Sequence, residues 1–72
     1  MSSPTEQQAE GAWKVFKGKV QEAWGALSGD DLDRFEGRRE QLEGHIERKT
    51  GEKRSRIRKQ LDDLADKATY RF

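Results

Sequence analysis

The chain has 72 residues, of which 31% are hydrophobic and 40% are charged, and its formal net charge is +1. A chain of this length forms one domain with a small core and a small free energy of unfolding. It contains no cysteine, which excludes disulfides and thiolate metal sites and favours a reducing compartment. It has neither an apolar run of about 20 residues nor the pattern of a signal peptide, so we expect a cytoplasmic protein without a transmembrane segment.

The first ten residues are polar and contain the only proline of the chain. We predict a flexible N-terminal lead-in over residues 1–10 and a single helical domain over residues 11–72. An alternative stays open for the lead-in, because Thr5 to Gln8 fits the capping-box pattern. A cap there would extend the first helix backwards through Ala9.

The clearest helical period of the chain lies in Trp13–Leu27. Its apolar residues recur at steps of three or four and form one narrow stripe: Trp13, Phe16, Val20, Trp24 and Leu27. A tryptophan stripe with this spacing is typical of a core rather than of a ligand site. We therefore predict that the stripe is buried.

A polar turn beginning at Ser28 separates this helix from the next helical region. Ser28 is a suitable helix N-cap, and the aspartates that follow it suit the positive end of a helix dipole. The second region ends in Lys49-Thr50-Gly51, a basic last turn followed by a glycine suited to a left-handed C-cap.

The last helix is predicted from about Glu52 to Ala68, and the chain ends with Tyr70 and Phe72, which we expect to fold back onto the core. Together the patterns predict an all-α fold with three helical regions. The predicted core consists of Trp13, Phe16, Val20, Trp24, Leu27, Leu32, Phe35, Leu42, Ile46, Ile57, Leu61 and Leu64.

Residues 32–46 repeat the pattern of residues 13–27, so that Phe35 falls on Phe16 and Gly37 on Gly18. In this alignment Arg39 takes the place of an apolar residue. It must extend its charged end to solvent, or it marks a point where the second stripe leaves the core.

Six glycines are spaced by seven residues in two series: Gly11, Gly18, Gly25 and Gly37, Gly44, Gly51. Each interior glycine costs a helix about 0.5–1 kcal/mol relative to alanine. Three interpretations remain open: helix breaking, favoured at Gly37 and Gly51; close approach of backbones; and selection for hydration and low stability.

Several features occur in a fixed order between Gly11 and Gly51: Trp13, Phe16-Lys17-Gly18-Lys19-Val20, Trp24-Gly25, Leu27, Asp30-Asp31, Glu36-Gly37-Arg38 and Gln41-Leu42-x-Gly44. By these features the chain resembles the CsbD-like family of small bacterial stress-response proteins, and Tyr70-Arg71-Phe72 is similar to the aromatic tail of some members. The last helix matches only loosely. The resemblance implies induction under general stress, a cytoplasmic location and no known enzymatic activity. For the fold it implies an all-α bundle of about four helices, packed as two roughly orthogonal helix hairpins in a SAM-domain-like arrangement. It supplies no functional residues.

Charge is unevenly distributed, with a net −4 over residues 30–47 and a net +5 over residues 48–72. The candidate anion-contact residues are Arg48, Lys49, Lys53, Arg54, Arg56, Arg58 and Lys59. Within the last helix the bases precede the acids, an order that opposes the helix dipole, and pairs such as Arg58–Asp62 and Lys59–Asp63 offset it little. Two interpretations remain open: a solvated face opposite the acidic segment of the same chain, or contact with nucleic acid, an anionic membrane surface or another polyanion. The absence of interleaved aromatic residues argues against single-strand stacking.

No catalytic constellation is found in the sequence. His45, the only histidine, is expected on the surface, and the carboxylates are expected on hydrophilic faces with none buried. The hydroxyl residues have no paired base, and no phosphate-binding loop is present. We therefore predict no catalytic residue, no cofactor and no metal site.

The sequence favours a non-enzymatic bacterial stress-response protein, acting as a hydrophilic protectant by a mechanism that the sequence leaves open. The alternative is a small binding module whose basic last helix contacts nucleic acid or another polyanion. For the oligomeric state we expect a monomer or a weak homodimer.

Overall fold

The computed structural model describes the backbone of residues 4–72 and the side chains of residues 11–72. Over this part the chain forms four α-helices and no strand. The helices are α1 (Pro4–Ala23), α2 (Gly29–Asp33), α3 (Arg39–Thr50) and α4 (Arg54–Ala68). The predicted all-α fold of four helices is confirmed. None of the described helices combines the length and the apolar composition needed to cross a membrane.

Helix α1 begins at Pro4, a residue that fits the first turn of a helix because its missing N–H has no intrahelical partner there. The helix thus reaches back beyond Ala9, as the alternative for the lead-in requires. Residues 1–3 and the side chains of residues 4–10 lie outside the described residues. The predicted flexibility of the lead-in, the cap at Thr5 and the domain boundary at residue 11 stay predictions.

The C-terminal end of α1 lies four residues before the predicted one, at Ala23 instead of Leu27. The chain continues in a turn in which the Leu27 N–H donates to the Trp24 carbonyl at 3.1 Å. A glycine at position 25 weakens helix formation there, which is consistent with the early end. Trp24 and Leu27 are nevertheless buried, because the turn keeps both side chains on the core side.

The N-cap of α2 is Ser28, as predicted. Its backbone is extended, and its side-chain oxygen accepts a hydrogen bond from the Asp31 N–H at 3.3 Å. This bond satisfies one of the free N–H groups in the first turn of the helix.

The second helical region is divided into α2 and α3, with Gly37 between them at φ +76°. That left-handed conformation strains any residue with a Cβ, so Gly37 breaks the helix, one of the interpretations left open by the sequence. Its counterpart in the repeat, Gly18, lies in the middle of α1. Gly51, at φ +73°, is the left-handed C-cap of α3 and donates its N–H to the Glu47 carbonyl at 2.9 Å, as predicted.

The core lies where one face of α1 meets α2 and α4, and α3, which packs against α4, adds Leu42 and Ile46 to the same core. Every predicted core residue is buried except Phe35 and Leu64, which are half-buried and pack against the core. Ala65, Ala68 and Tyr70 complete it. The predicted arrangement of two orthogonal, SAM-domain-like hairpins stays a prediction.

The aromatic tail folds back onto α1, as expected from the sequence. The Tyr70 ring stacks on Phe16 with a centroid distance of 4.9 Å and lies 5.3 Å from Trp13, and Phe72 contacts the Phe16 ring edge-on at 5.3 Å. The Tyr70 hydroxyl accepts a hydrogen bond from the Gly37 N–H at 2.9 Å. The tail therefore links α1 to the break between α2 and α3.

Candidate functional site at the α3–α4 turn

The seven basic residues singled out in the sequence lie on either side of the turn between α3 and α4. Arg48 and Lys49 occupy the last turn of α3, Lys53 is the N-cap of α4, and the remaining four follow in the first turns of α4. The structure divides them into two groups, one bound to carboxylates of α3 and one directed towards solvent.

The inner group consists of Arg54 and Arg58, which both bind Glu43 of α3. The Nε of Arg58 lies 3.0 Å and an Nη of Arg54 lies 3.5 Å from the same Glu43 carboxylate oxygen. Arg54 also binds Glu47 at 3.2 Å. The other Glu43 oxygen accepts a hydrogen bond from the Nε of Arg39 at 3.0 Å. Three guanidinium groups thus surround one carboxylate.

Glu43 is buried, with only 3% of its side chain exposed. Burial by itself raises the pKa of a carboxyl, but hydrogen bonds from Arg39 and Arg58 outweigh it, and the pKa of Glu43 is lower than the ordinary value. The carboxylate therefore stays ionised inside the α3–α4 interface. The prediction that no carboxylate is buried was wrong, because helical periodicity assigns residues to a face by hydrophobicity and Glu43 is polar. Its place in the repeat is that of Trp24, a signal that could have indicated burial.

Arg39 is half-buried, with 33% of its side chain exposed, and its guanidinium is held by contacts within the chain rather than free in solvent. Besides Glu43, its guanidinium pairs with Asp62 of α4 and donates to the Arg58 carbonyl at 3.2 Å. It also lies 5.4 Å from the centre of the Phe72 ring, within range of a cation–π contact. Arg39 therefore joins α3, α4 and the tail.

His45 is buried, so the expectation of a surface histidine was wrong. Its ring lies 4.9 Å from that of Phe35, in the segment between α2 and α3, and its Nε2 has no hydrogen-bond partner among the described residues. Burial lowers the pKa of His45, and the nearby cations of Lys49, Arg48 and Arg34 lower it further, against the opposing effect of Asp31. The carboxylate of Asp31 does not outweigh these effects, so the imidazole is not kept protonated near pH 7.

The remaining five basic residues form what we call the outer basic surface: Arg48, Lys49, Lys53, Arg56 and Lys59. All five are exposed. Arg56 makes an i,i+4 pair with Glu52 at 3.5 Å, and the other four make no ion pair within the described part of the chain. The pairs Arg58–Asp62 and Lys59–Asp63 considered from the sequence are replaced, since Asp62 binds Arg39 and Asp63 binds Lys67.

The hydroxyl of Thr50, at the end of α3, is held by hydrogen bonds to the backbone. The Thr50 hydroxyl donates to the Ile46 carbonyl at 2.7 Å and accepts from the Glu52 N–H at 3.1 Å. Within the part of the chain whose side chains are described, no three His, Cys, Asp or Glu residues are grouped so that they could hold a metal ion. The arrangement at the α3–α4 turn is suited to ionic contacts.

Comparisons with known proteins find similarity over most of the chain. A family model described as CsbD-like matches residues 7–59. The chain is 42% identical over 65 residues to the UPF0337 protein YjbJ of Escherichia coli (strain K12), which covers 90% of this chain and 94% of that protein. It is 52% identical over 54 residues to the UPF0337 protein RPA4217 of Rhodopseudomonas palustris, covering 75% of this chain and 82% of that one. No solved structure matches the chain significantly. The matched residues include all seven basic residues of the turn.

Proposed function

The chain belongs to the CsbD-like family, and from this membership and the character of its surface we propose that it is a non-enzymatic bacterial stress-response protein that acts in the cytoplasm as a hydrophilic protectant of other macromolecules. The cytoplasmic location is supported by the absence of cysteine, since small domains of oxidising compartments usually depend on disulfides. The molecule would act through its hydrated, charged exterior rather than through a specific pocket.

The observation that carries this proposal is the separation of apolar and charged side chains. The large apolar side chains of residues 11–72 pack in or against the chain's own core, and the exposed ones are Val15 and Phe72. A protein that holds unfolded clients by their apolar segments needs a sizeable exposed apolar patch, and two side chains are too few to form one. With 40% of its residues charged, the chain instead presents a strongly hydrated exterior.

The surroundings of the buried side chains of Glu43 and His45 support a non-enzymatic role. Glu43 is neutralised by three arginines, and His45 lies against the ring of Phe35. A catalytic acid or base needs a pKa near the working pH and access to a substrate. Glu43 has neither, because its pKa is lowered and its carboxylate oxygens already accept hydrogen bonds from the protein.

The oligomeric state follows from the same surface. Stable homodimers bury apolar residues at their interface, and the exposed large apolar side chains within residues 11–72 are few. We therefore propose a monomer under ordinary conditions, which sedimentation equilibrium at concentrations from about 10 µM to 1 mM tests. A dimer at the lower concentration would contradict this part of the proposal.

Protection is measured as the activity that a desiccation-sensitive enzyme retains after drying and rehydration with graded amounts of this protein. The comparison is an equal mass of an inert globular protein of similar size. We expect greater retention with this protein, and equal retention by the variant Lys49→Gln/Lys53→Gln/Lys59→Gln, because hydration does not depend on individual side chains. Retention no better than with the inert protein would refute the proposal.

A further inference from the structure

We propose that the outer basic surface binds the phosphate backbone of a nucleic-acid duplex. This goes beyond protection by a hydrated exterior and does not depend on it. The surface consists of the five exposed residues at the α3–α4 turn defined above, and it excludes Arg54 and Arg58, which neutralise Glu43.

The first argument is the distribution of charge. The α3–α4 turn carries seven basic residues and three carboxylates that pair with them: Glu43, Glu47 and Glu52. The turn therefore has a net charge of +4, and because the whole chain is +1, the rest of the molecule is −3. A molecule with such polarity presents one end to a polyanion and turns the other away, which orients the encounter.

The second argument is that folding does not account for these charges at the start of α4. The N-cap Lys53 makes no side-chain cap, the first turn of α4 contains no acidic residue, and its bases face the positive end of the helix dipole. Arg54 has a structural reason for this unfavourable position in its bonds to Glu43 and Glu47. Lys53 has no such partner among the described residues, and an external anion would account for its unfavourable position.

The nature of the surface favours a duplex over a single strand or a membrane. No aromatic residue belongs to it, so bases have nothing on which to stack. Insertion into a bilayer needs an exposed apolar helix face, but Ile57 and Leu61 of α4 are fully buried in the core. Contact with the regularly spaced phosphates of a duplex needs only exposed cations.

The expected strength follows from counterion release. Each phosphate neutralised contributes about −0.9 to the slope of log K against log salt concentration, so five contacts give a slope of about −4.5. Sequence-independent binding of this kind has a Kd of roughly 10⁻⁴ to 10⁻⁶ M at physiological salt. Binding should therefore be measurable at 50 mM salt and weak at 200 mM.

The test is fluorescence anisotropy with a labelled random-sequence DNA duplex of about 20 base pairs, titrated with the full chain between 50 and 200 mM KCl. The test variant is Lys49→Gln/Lys53→Gln/Lys59→Gln. We expect the loss of three phosphate contacts to make the slope shallower by about 2.7. The affinity at 50 mM salt should weaken at least about tenfold.

The control variant is Lys14→Gln/Arg38→Gln/Arg71→Gln. It has the same net charge as the test variant, but the exposed residues that it changes lie away from the turn. We expect the control to keep the wild-type slope. Thermal melting followed by circular dichroism checks that both variants fold. If the test variant melts at a clearly lower temperature than the wild type, the double variant Lys53→Gln/Lys59→Gln replaces it. The double variant should make the slope shallower by about 1.8.

Three results would overturn the proposal. One is no binding of the duplex by the wild-type chain up to about 100 µM at 50 mM salt, well above the upper Kd expected there. Another is an equal loss of affinity in test and control variants, which would show an effect of net charge alone. The third is binding to phosphatidylserine vesicles without binding to the duplex. The test variant is expected to protect a dried enzyme as well as the wild type does. A failure of the duplex-binding proposal therefore does not refute the protectant proposal, which its own assay tests.

Discussion

Replacing Glu43 by glutamine tests whether ion pairs hold α3 against α4. The substitution keeps the shape of the side chain and removes its charge. Arg39, Arg54 and Arg58 then face a neutral amide in place of the carboxylate that binds them at 3.0, 3.5 and 3.0 Å. We expect the substitution to destabilise the fold strongly, although it changes a single side chain of the α3–α4 interface.

The magnitude follows from burial on the two sides of the interaction. Breaking a fully buried ion pair costs about 3–5 kcal/mol, because the remaining charge is stranded away from water. Here Glu43 is 3% exposed, but the side chains of Arg39, Arg54 and Arg58 are 33%, 36% and 58% exposed, so water rehydrates them when the carboxylate is lost. We therefore expect about 2 kcal/mol for Glu43→Gln, which corresponds to roughly 8–16 °C in Tm for a domain of this size.

The assay is thermal and urea unfolding followed by circular dichroism at 222 nm. The matched control is Glu40→Gln, an exposed glutamate on the same helix, for which a change within about 0.5 kcal/mol is expected. Acid unfolding adds a second observable. The pKa of Glu43 is lowered in the folded state, so its contribution is present above the ordinary value of 4.5 and is lost as pH falls through the folded-state pKa. Glu43→Gln should remove this part of the acid transition.

A Tm for Glu43→Gln within about 2 °C of both wild type and Glu40→Gln would refute the reasoning. It would mean that the desolvation of Glu43 cancels its interactions with the three arginines, and that apolar packing alone holds the interface.

Three further predictions concern other groups of the fold. The pKa of His45 is lowered from the ordinary 6.5, so its contribution to stability is present above pH 6.5 and is lost as pH falls through the folded-state pKa. In His45→Leu, the free energy of unfolding measured with urea should therefore depend less on pH in that range. Tyr70→Phe removes the acceptor of the Gly37 N–H and should cost about 1 kcal/mol in urea unfolding, with unchanged stability contradicting the bond. Gly37→Ala should destabilise by about 1–2 kcal/mol because of its positive φ, whereas Gly18→Ala, in helical backbone with open space around the added Cβ, should stabilise by about 0.5–1 kcal/mol. Equal effects of the two glycine substitutions would show that backbone conformation does not decide them.

The sequence predicted those features that depend on one element at a time. The stripe of α1 is periodic and aromatic, the Ser28 cap is followed by aspartates, and Gly51 follows a basic turn, so each carries its own local signal. These are buried or formed as expected. The break at Gly37 was one of several open interpretations, because a glycine at that repeat position is helical in one copy and left-handed in the other.

The candidate site could be predicted only in part, because it depends on how two helices pair. The basic residues around the turn were found from charge alone. Which of them face inward is decided by Glu43, and a single glutamate next to Leu42 resembles any other polar residue of a helix. Two signals did exist: the alignment of Glu43 with Trp24, and bases at the wrong end of the dipole of α4. A charge order that weakens its own helix indicates a partner elsewhere.

The contact between Trp13 and Asp33 makes the fold observable without a label. The indole Nε1 of Trp13 donates to the Asp33 carboxylate at 2.9 Å, Lys17 binds the same oxygen at 3.0 Å, and both bonds lower the pKa of Asp33. With the Tyr70 ring 5.3 Å away, energy absorbed by the tyrosine passes to the indole while the chain is folded. Tyrosine emission that appears on denaturation therefore reports release of the tail, and a shift of the tryptophan spectrum reports exposure of the buried Trp13 and Trp24.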